Sequence, residues 1–66
     1  MSEYVTVEQA GNEAMADLIK QRLDEAGIPS VIAVSNLGAL AQAGASYAVS
    51  VPAENADEAR ELLGNG

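Results

Sequence analysis

The stretch NEAMADLIKQRLDEAGIP, residues 12–29, decides the fold, because it contains the signals of one complete helix with both ends. Asn12 is a residue type that caps helix N-termini. Apolar residues recur at helical spacing and predict the buried face, which would consist of Met15, Leu18, Ile19, Leu23 and Ala26. Gly27 predicts a left-handed helix end. We therefore expect a helix over about residues 12–26.

Strand-like runs lie on both sides of this helix. Residues 3–8 alternate between two faces and include β-branched residues, which predicts a half-buried strand with Val5 and Val7 facing the core. Residues 30–35, SVIAVS, form a continuous apolar run that is typical of a strand covered on both faces, at least in part. A third strand is expected at residues 47–51, where the sequence alternates again. The residues on one face of this third strand are Tyr47, Val49 and Val51.

A second helix is expected after the third strand. Pro52 ends that strand, and Asn55 followed by Glu58 has the spacing of a capping box. The predicted buried stripe consists of Ala56, Ala59, Leu62 and Leu63, and Gly64 closes the helix.

The predicted order of elements, β-α-β-β-α, belongs to the α+β class. A helical crossover makes the first two strands parallel, and the split β-α-β arrangement places the third strand between them. We therefore expect a truncated ferredoxin-like fold, in which a three-stranded sheet carries two helices on one face. Residues 1–66 are expected to form a single domain, with a structured core at about residues 3–64.

This fold would leave parts of the sheet exposed. A complete ferredoxin-like sheet has a fourth strand beside the first, so the first strand is expected to be an open edge here. The face without helices, with Tyr4, Tyr47 or their neighbours, would be a second exposed surface. Because small cores gain stability from oligomerisation, a monomer and a homodimer through one of these surfaces both stay open.

Residues 36–46 contain no charged side chain and carry leucine and alanine, which is unusual for a connection between strands. Three interpretations stay open: the leucines pack onto the sheet edge, they form a patch or lid that binds a partner or ligand, or the segment is disordered. Under the binding interpretation the candidate residues are Asn36, Leu37, Gly38, Leu40, Gly44 and Tyr47.

The composition argues against several classes of function. Ten acidic and three basic residues give a formal net charge of -7, which repels nucleic-acid phosphates. Without histidine and cysteine, the usual bases, nucleophile pairs and metal ligands are missing, so we expect neither an enzyme nor a cofactor or metal site. No apolar run approaches the ~20 residues of a membrane span, and the N-terminal sequence is unlike a secretion signal. We therefore expect a cytoplasmic protein.

Three segments resemble the putative prokaryotic signal-transducing protein family. Leu23 and residues 26–29 match its LxxAGIP turn, and residues 36–38 match its AsnLeuGly loop. The residues that match its closing segment are Val51, Pro52, Ala56, Ala59, Arg60, Leu62 and Leu63. The resemblance covers about residues 4–63 and implies a ferredoxin-like fold similar to that of the nitrogen-regulatory PII proteins. The long loop of the PII proteins and a nucleotide motif are missing from this sequence.

Together these observations predict a non-enzymatic regulatory or signal-transducing interaction module. It would bind a protein partner, itself included, through the 36–46 segment, the open sheet edge or both. The alternative is a small-molecule-sensing domain that binds a metabolite under the 36–46 segment.

Overall fold

The computed structural model describes residues 3–35 and 46–64. These residues form three strands, two helices and one short turn of 3-10 helix. In chain order they are β1 (Tyr4–Ala10), α1 (Glu13–Glu25), β2 (Val31–Ser35), β3 (Ser46–Pro52), the 3-10 turn (Ala53–Asn55) and α2 (Ala56–Leu63). The order β-α-β-β-α and the α+β class are confirmed.

The strands form one antiparallel sheet in the order β1-β3-β2. β1 and β2 both run antiparallel to β3, so they are parallel to each other. This confirms that the third strand lies between the first two and that β1 lies at an edge. It also makes β2 the other edge strand of the described sheet.

The position of β2 contradicts the prediction of a strand covered on both faces. Only Ile32 is partly buried, whereas Val31 and Val34 are among the most exposed apolar residues of the described chain. β-branched residues favour strands in general, both central and edge strands. The apolar run therefore does not predict which strands lie beside β2.

Both ends of α1 form by the local interactions that the sequence predicts. The side-chain oxygen of Asn12 accepts a hydrogen bond from the backbone N–H of Met15 at 2.8 Å. At the other end Gly27 has a φ of 78°, which favours glycine. The backbone N–H of Ile28 donates to the carbonyl of Leu23 at 2.9 Å, and the two side chains are buried together. This is a Schellman ending with its apolar contact.

The buried face of α1 is rotated from the predicted one. Leu23 is buried and Ile19 partly buried, as expected, but the first turn contributes Ala16 rather than Met15. Met15 is 51% exposed and Leu18 is 49% exposed, and Ala26 is exposed too. Successive helix residues are about 100° apart, so a buried line centred on Ala16, Ile19 and Leu23 leaves Met15 on its flank and places Leu18 well away from it.

β1 contains a bulge that the alternation pattern did not predict. Thr6 lies opposite Ser50, and Glu8 lies opposite the next residue of β3, Val49. The extra residue in β1 shifts the alternation, so Ala10 becomes buried and Gln9 exposed. Val5 before the bulge and Val7 within it face the core as predicted. The strand therefore continues to Ala10, beyond the predicted residues 3–8.

α2 differs from its prediction at the N-terminus and on one flank. Asn55 makes no side-chain capping hydrogen bond, because the preceding 3-10 turn leads the backbone directly into the helix. Ala56 and Ala59 are buried and Leu63 is partly buried, but Leu62 is 42% exposed. Gly64 ends the helix with a φ of 79°, as predicted.

The core joins both helices to one face of the sheet. Its buried residues form a single cluster: Val7, Ala10, Ala16, Leu23, Ile28, Val49, Val51, Ala56 and Ala59. The two helices contact each other above the strands. Val49 and Val51 point to the same face of β3 and are both buried, so both helices cover this face and the opposite face carries no helix of the described chain.

Candidate interaction surface

Most of the residues predicted to bind a partner lie outside the described residues: Asn36, Leu37, Gly38, Leu40 and Gly44. Tyr47 is described, and it packs against the core at the edge of the helix-covered face, opposite Ala10 and Val34. The expectation that Tyr47 belongs to the uncovered face is therefore wrong, because it shares the alternation of the buried Val49 and Val51.

The side chains of the helix-free face are uncharged, and several of them carry hydroxyl or amide groups. Thr6 and Ser50 form a hydrogen bond between their hydroxyl groups at 3.2 Å. The Ser46 hydroxyl donates to the side-chain carbonyl of Gln9, also at 3.2 Å. Ala48 lies beside Gln9 on the same face. These four polar side chains thus pair with one another across β1 and β3.

The charged residues are segregated from β2 and β3. All ten carboxylates and all three cations lie in α1, in residues 54–61, or on β1 and the residue before it. Lys20 Nζ lies 3.5 Å from Oδ1 of Asp24, and Arg60 Nη1 lies 3.9 Å from Oδ1 of Asp57. These pairs are solvent-exposed and contribute little to stability. The helix layer is therefore acidic, and the strands β2 and β3 are uncharged.

The two edges of the sheet differ in how well they could accept another strand. β1 carries a bulge and Glu8, with Glu3 just before it, and bulges and charges are features that discourage pairing at an edge. β2 carries neither, and its register with β3 runs without a shift from Val31 to Ser35. The outer edge of β2 is thus regular, uncharged and rich in β-branched residues.

Val34 is the most exposed of the large apolar residues in the described chain, at 60%. It lies opposite Tyr47 and on the same side of the sheet as Ile32, which packs against the core. The apolar layer under the helices therefore continues along β2 to the outer edge of the sheet. We call β2 with its outward side the β2 edge.

The described residues contain no group of three or more acidic side chains positioned to hold a metal ion, and no enclosed pocket is present among them. No helix in residues 3–35 or 46–64 is long and apolar enough to cross a membrane.

The fold and these surfaces define a small α+β protein with an acidic helix layer and two uncharged strands, β2 and β3. The chain belongs to the family of putative prokaryotic signal-transducing proteins, whose model matches residues 4–66. Neither the curated proteins nor the solved structures contain a significant match to this sequence.

Proposed function

We propose that this protein is a cytoplasmic, non-enzymatic regulatory module that binds a protein partner at the β2 edge. The family description supports a role in signal transduction. Binding would occur by strand addition, in which an extended segment of the partner pairs with an exposed edge strand through main-chain hydrogen bonds. The complementary segment is uncharged and rich in β-branched residues, because β2 itself has this character.

The observation that carries the proposal is the exposed apolar side chain of Val34 on an edge without charge, proline or bulge. Natural proteins normally protect edge strands against pairing with other chains. Here β1 has such protection and β2 has none among the described residues. If exposed edges were simply tolerated in this protein, neither edge strand would need protection. Protection of β1 but not of β2 therefore favours a binding function for β2.

The 36–46 segment stays part of this proposal as a sequence-based prediction. Its first residues continue directly from β2 in the chain, so Leu37 and Leu40 are close in sequence to the proposed binding edge. We further propose that the fold is a truncated ferredoxin-like one, which the element order and the central position of β3 support.

The test compares exposed apolar residues on two sides of the molecule. Val34→Lys places a charge on the β2 edge, and the matched control Leu62→Lys places one on the exposed flank of α2. Both side chains are largely exposed, so both variants should keep the circular dichroism spectrum of the wild type. Each protein is used to capture binding proteins from a bacterial lysate, and any retained protein is purified and titrated against all three.

Wild type and Leu62→Lys should bind the purified partner with equal affinity, and Val34→Lys should bind it at least about tenfold more weakly. A third variant, Leu37→Asp with Leu40→Asp, tests whether the 36–46 segment contributes. If Val34→Lys binds as well as wild type, the β2 edge is not the binding site. Thermal stabilisation by a metabolite, undiminished in Val34→Lys, would favour the small-molecule-sensing alternative.

A further inference from the structure

The β2 edge is complementary to itself when two copies are related by a twofold axis. Resting on the proposed function, we infer that the uncharged strand that fits this edge is β2 of a second copy. The two sheets would join into one six-stranded antiparallel sheet, with the helices of both copies on the same side. The strand Val31–Ser35 determines the register of this pairing.

The register follows from the alternation of side chains. Residues directly opposite each other in an antiparallel pair point to the same face. In β2, Ile32 and Val34 point to the helix side, and Val31, Ala33 and Ser35 point to the helix-free side. A twofold axis that preserves these faces must pass beside a residue rather than between two residues. Only an axis beside Ala33 pairs all five residues of the strand.

This register covers the exposed apolar side chain of each copy. Val34 of one copy lies opposite Ile32 of the second copy, and the reverse contact forms on the other side of the axis. Ile32 packs against the core in each copy, so Val34 would become an extension of the core of its partner. On the helix-free side, Ala33 faces Ala33, and Val31 faces Ser35. The pairing thus brings together small or β-branched side chains without opposing two charges.

Charge also favours this edge for a second copy. Each copy carries a formal charge of -7, so two copies repel each other over most approaches. β2 contributes no charge, and the residues that flank it in sequence, Ser30 and Asn36, are uncharged too. Association at β2 therefore requires no two carboxylates to pair directly. Because the net charges still repel, the dimer should become stronger as salt screens them.

The size of the contact predicts its strength. A five-residue strand is about 17 Å long, so the contact is smaller than the roughly 800 Å² per partner of a standard interface. The dimer should therefore be weak and reversible, and best detected by trapping it chemically. The absence of cysteine from the sequence allows this trapping at a single chosen position.

The experiment uses disulfide formation to measure the register in the full chain. Antiparallel opposite residues have Cα atoms about 4.5–5.5 Å apart, within the range of about 4.4–6.8 Å that disulfides require. Ala33→Cys should therefore cross-link to itself under a glutathione redox buffer. Val31→Cys and Ser35→Cys should not cross-link to themselves, because the same residue of the second copy is about 13 Å away. A mixture of these two variants should give the mixed disulfide.

Leu62→Cys is the control for random collision, since it places a thiol at an exposed position of α2. Ala33→Cys should cross-link at least about tenfold faster than Leu62→Cys, and adding Val34→Lys to Ala33→Cys should remove this advantage. Raising sodium chloride from 50 to 500 mM should increase the dimer fraction of the cysteine-free protein in sedimentation velocity.

Equal rates for Ala33→Cys and Leu62→Cys would overturn the inference. So would cross-linking of Val31→Cys to itself, which would require another register. If the outward-pointing amides of β2, which are not bonded to β3, are protected from hydrogen exchange while the protein stays monomeric, the edge is covered by the chain's own residues and the inference also fails. A protein of another kind that binds wild type but not Val34→Lys would then leave the proposed function intact.

Discussion

Two leucines of the same helix should respond very differently to the same substitution. Leu23 is 0% exposed and Leu18 is 49% exposed, although the helical spacing in the sequence predicts both as buried. Leu23→Ala and Leu18→Ala remove the same atoms from interior positions of α1. The change in helix propensity is therefore the same in both variants, and only the loss of packing differs.

The structure sets the size of each effect. Removing a fully buried leucine side chain costs about 2–5 kcal/mol, because both burial and packing are lost. Leu23 also lies under the Schellman ending, where its side chain meets Ile28, so the upper half of this range is expected. Leu18 buries about half of its side chain, which corresponds to about 1 kcal/mol or less.

A domain of this length has a total stability of about 3–10 kcal/mol. Leu23→Ala should therefore lose a large part of its stability, and Leu18→Ala should stay folded with a small shift. Urea unfolding followed by circular dichroism at 222 nm measures both free energies. If the two substitutions lowered the free energy of unfolding equally, Leu18 would be as buried as Leu23. The buried face of α1 would then be the one predicted from the sequence.

Two further predictions concern the ends of the helices. Asn12→Ala should lower the free energy of unfolding by about 1 kcal/mol, because it removes the capping hydrogen bond from the backbone N–H of Met15. Asn55→Ala should have little effect, because the Asn55 side chain makes no capping hydrogen bond. Urea unfolding of the pair measures this, and a comparable loss in both would contradict the observed difference between the caps. Gly27→Ala should lower the free energy of unfolding by about 1–2 kcal/mol, because the backbone at Gly27 is left-handed. Gly11→Ala should be nearly neutral, because an added Cβ would meet open space there and the backbone is not left-handed. Thermal unfolding compares them, and a neutral Gly27→Ala would show that the turn relaxes without strain.

The features that the sequence predicts well are those with local physical causes. The N-cap at Asn12 and the glycine ending at Gly27 depend on neighbouring residues alone, and both are confirmed. The central position of β3 follows from the crossover rule and the split β-α-β arrangement that the order of elements indicates. The family resemblance is also confirmed, because the family model matches residues 4–66.

The features that the sequence misses depend on packing between distant segments. Whether Ala16 or Met15 meets the sheet is decided by how closely the helix approaches it, and a spacing rule favours the larger side chain. The bulge in β1 is visible only as a shift against β3. The exposure of Val34 depends on which strands are neighbours, so an apolar run alone does not indicate an edge.

The candidate site is only partly accessible to sequence reasoning for the same reason. The absence of charge from β2 can be read directly from the sequence. The difference between the β1 edge and the β2 edge emerges only when the bulge and the strand order are known together. Of the predicted binding residues, Tyr47 lies beside the core, and the other five stay predictions.

The segregation of charge gives the molecule a preferred orientation in an electric field. Its carboxylates lie mainly on the two helices, and β2 and β3 carry none. A positively charged surface would therefore attract the helix layer first and hold the protein with its uncharged strands pointing away. In this orientation the strands would stay accessible, and increasing salt would release the molecule from the surface without removing any contact made by the sheet.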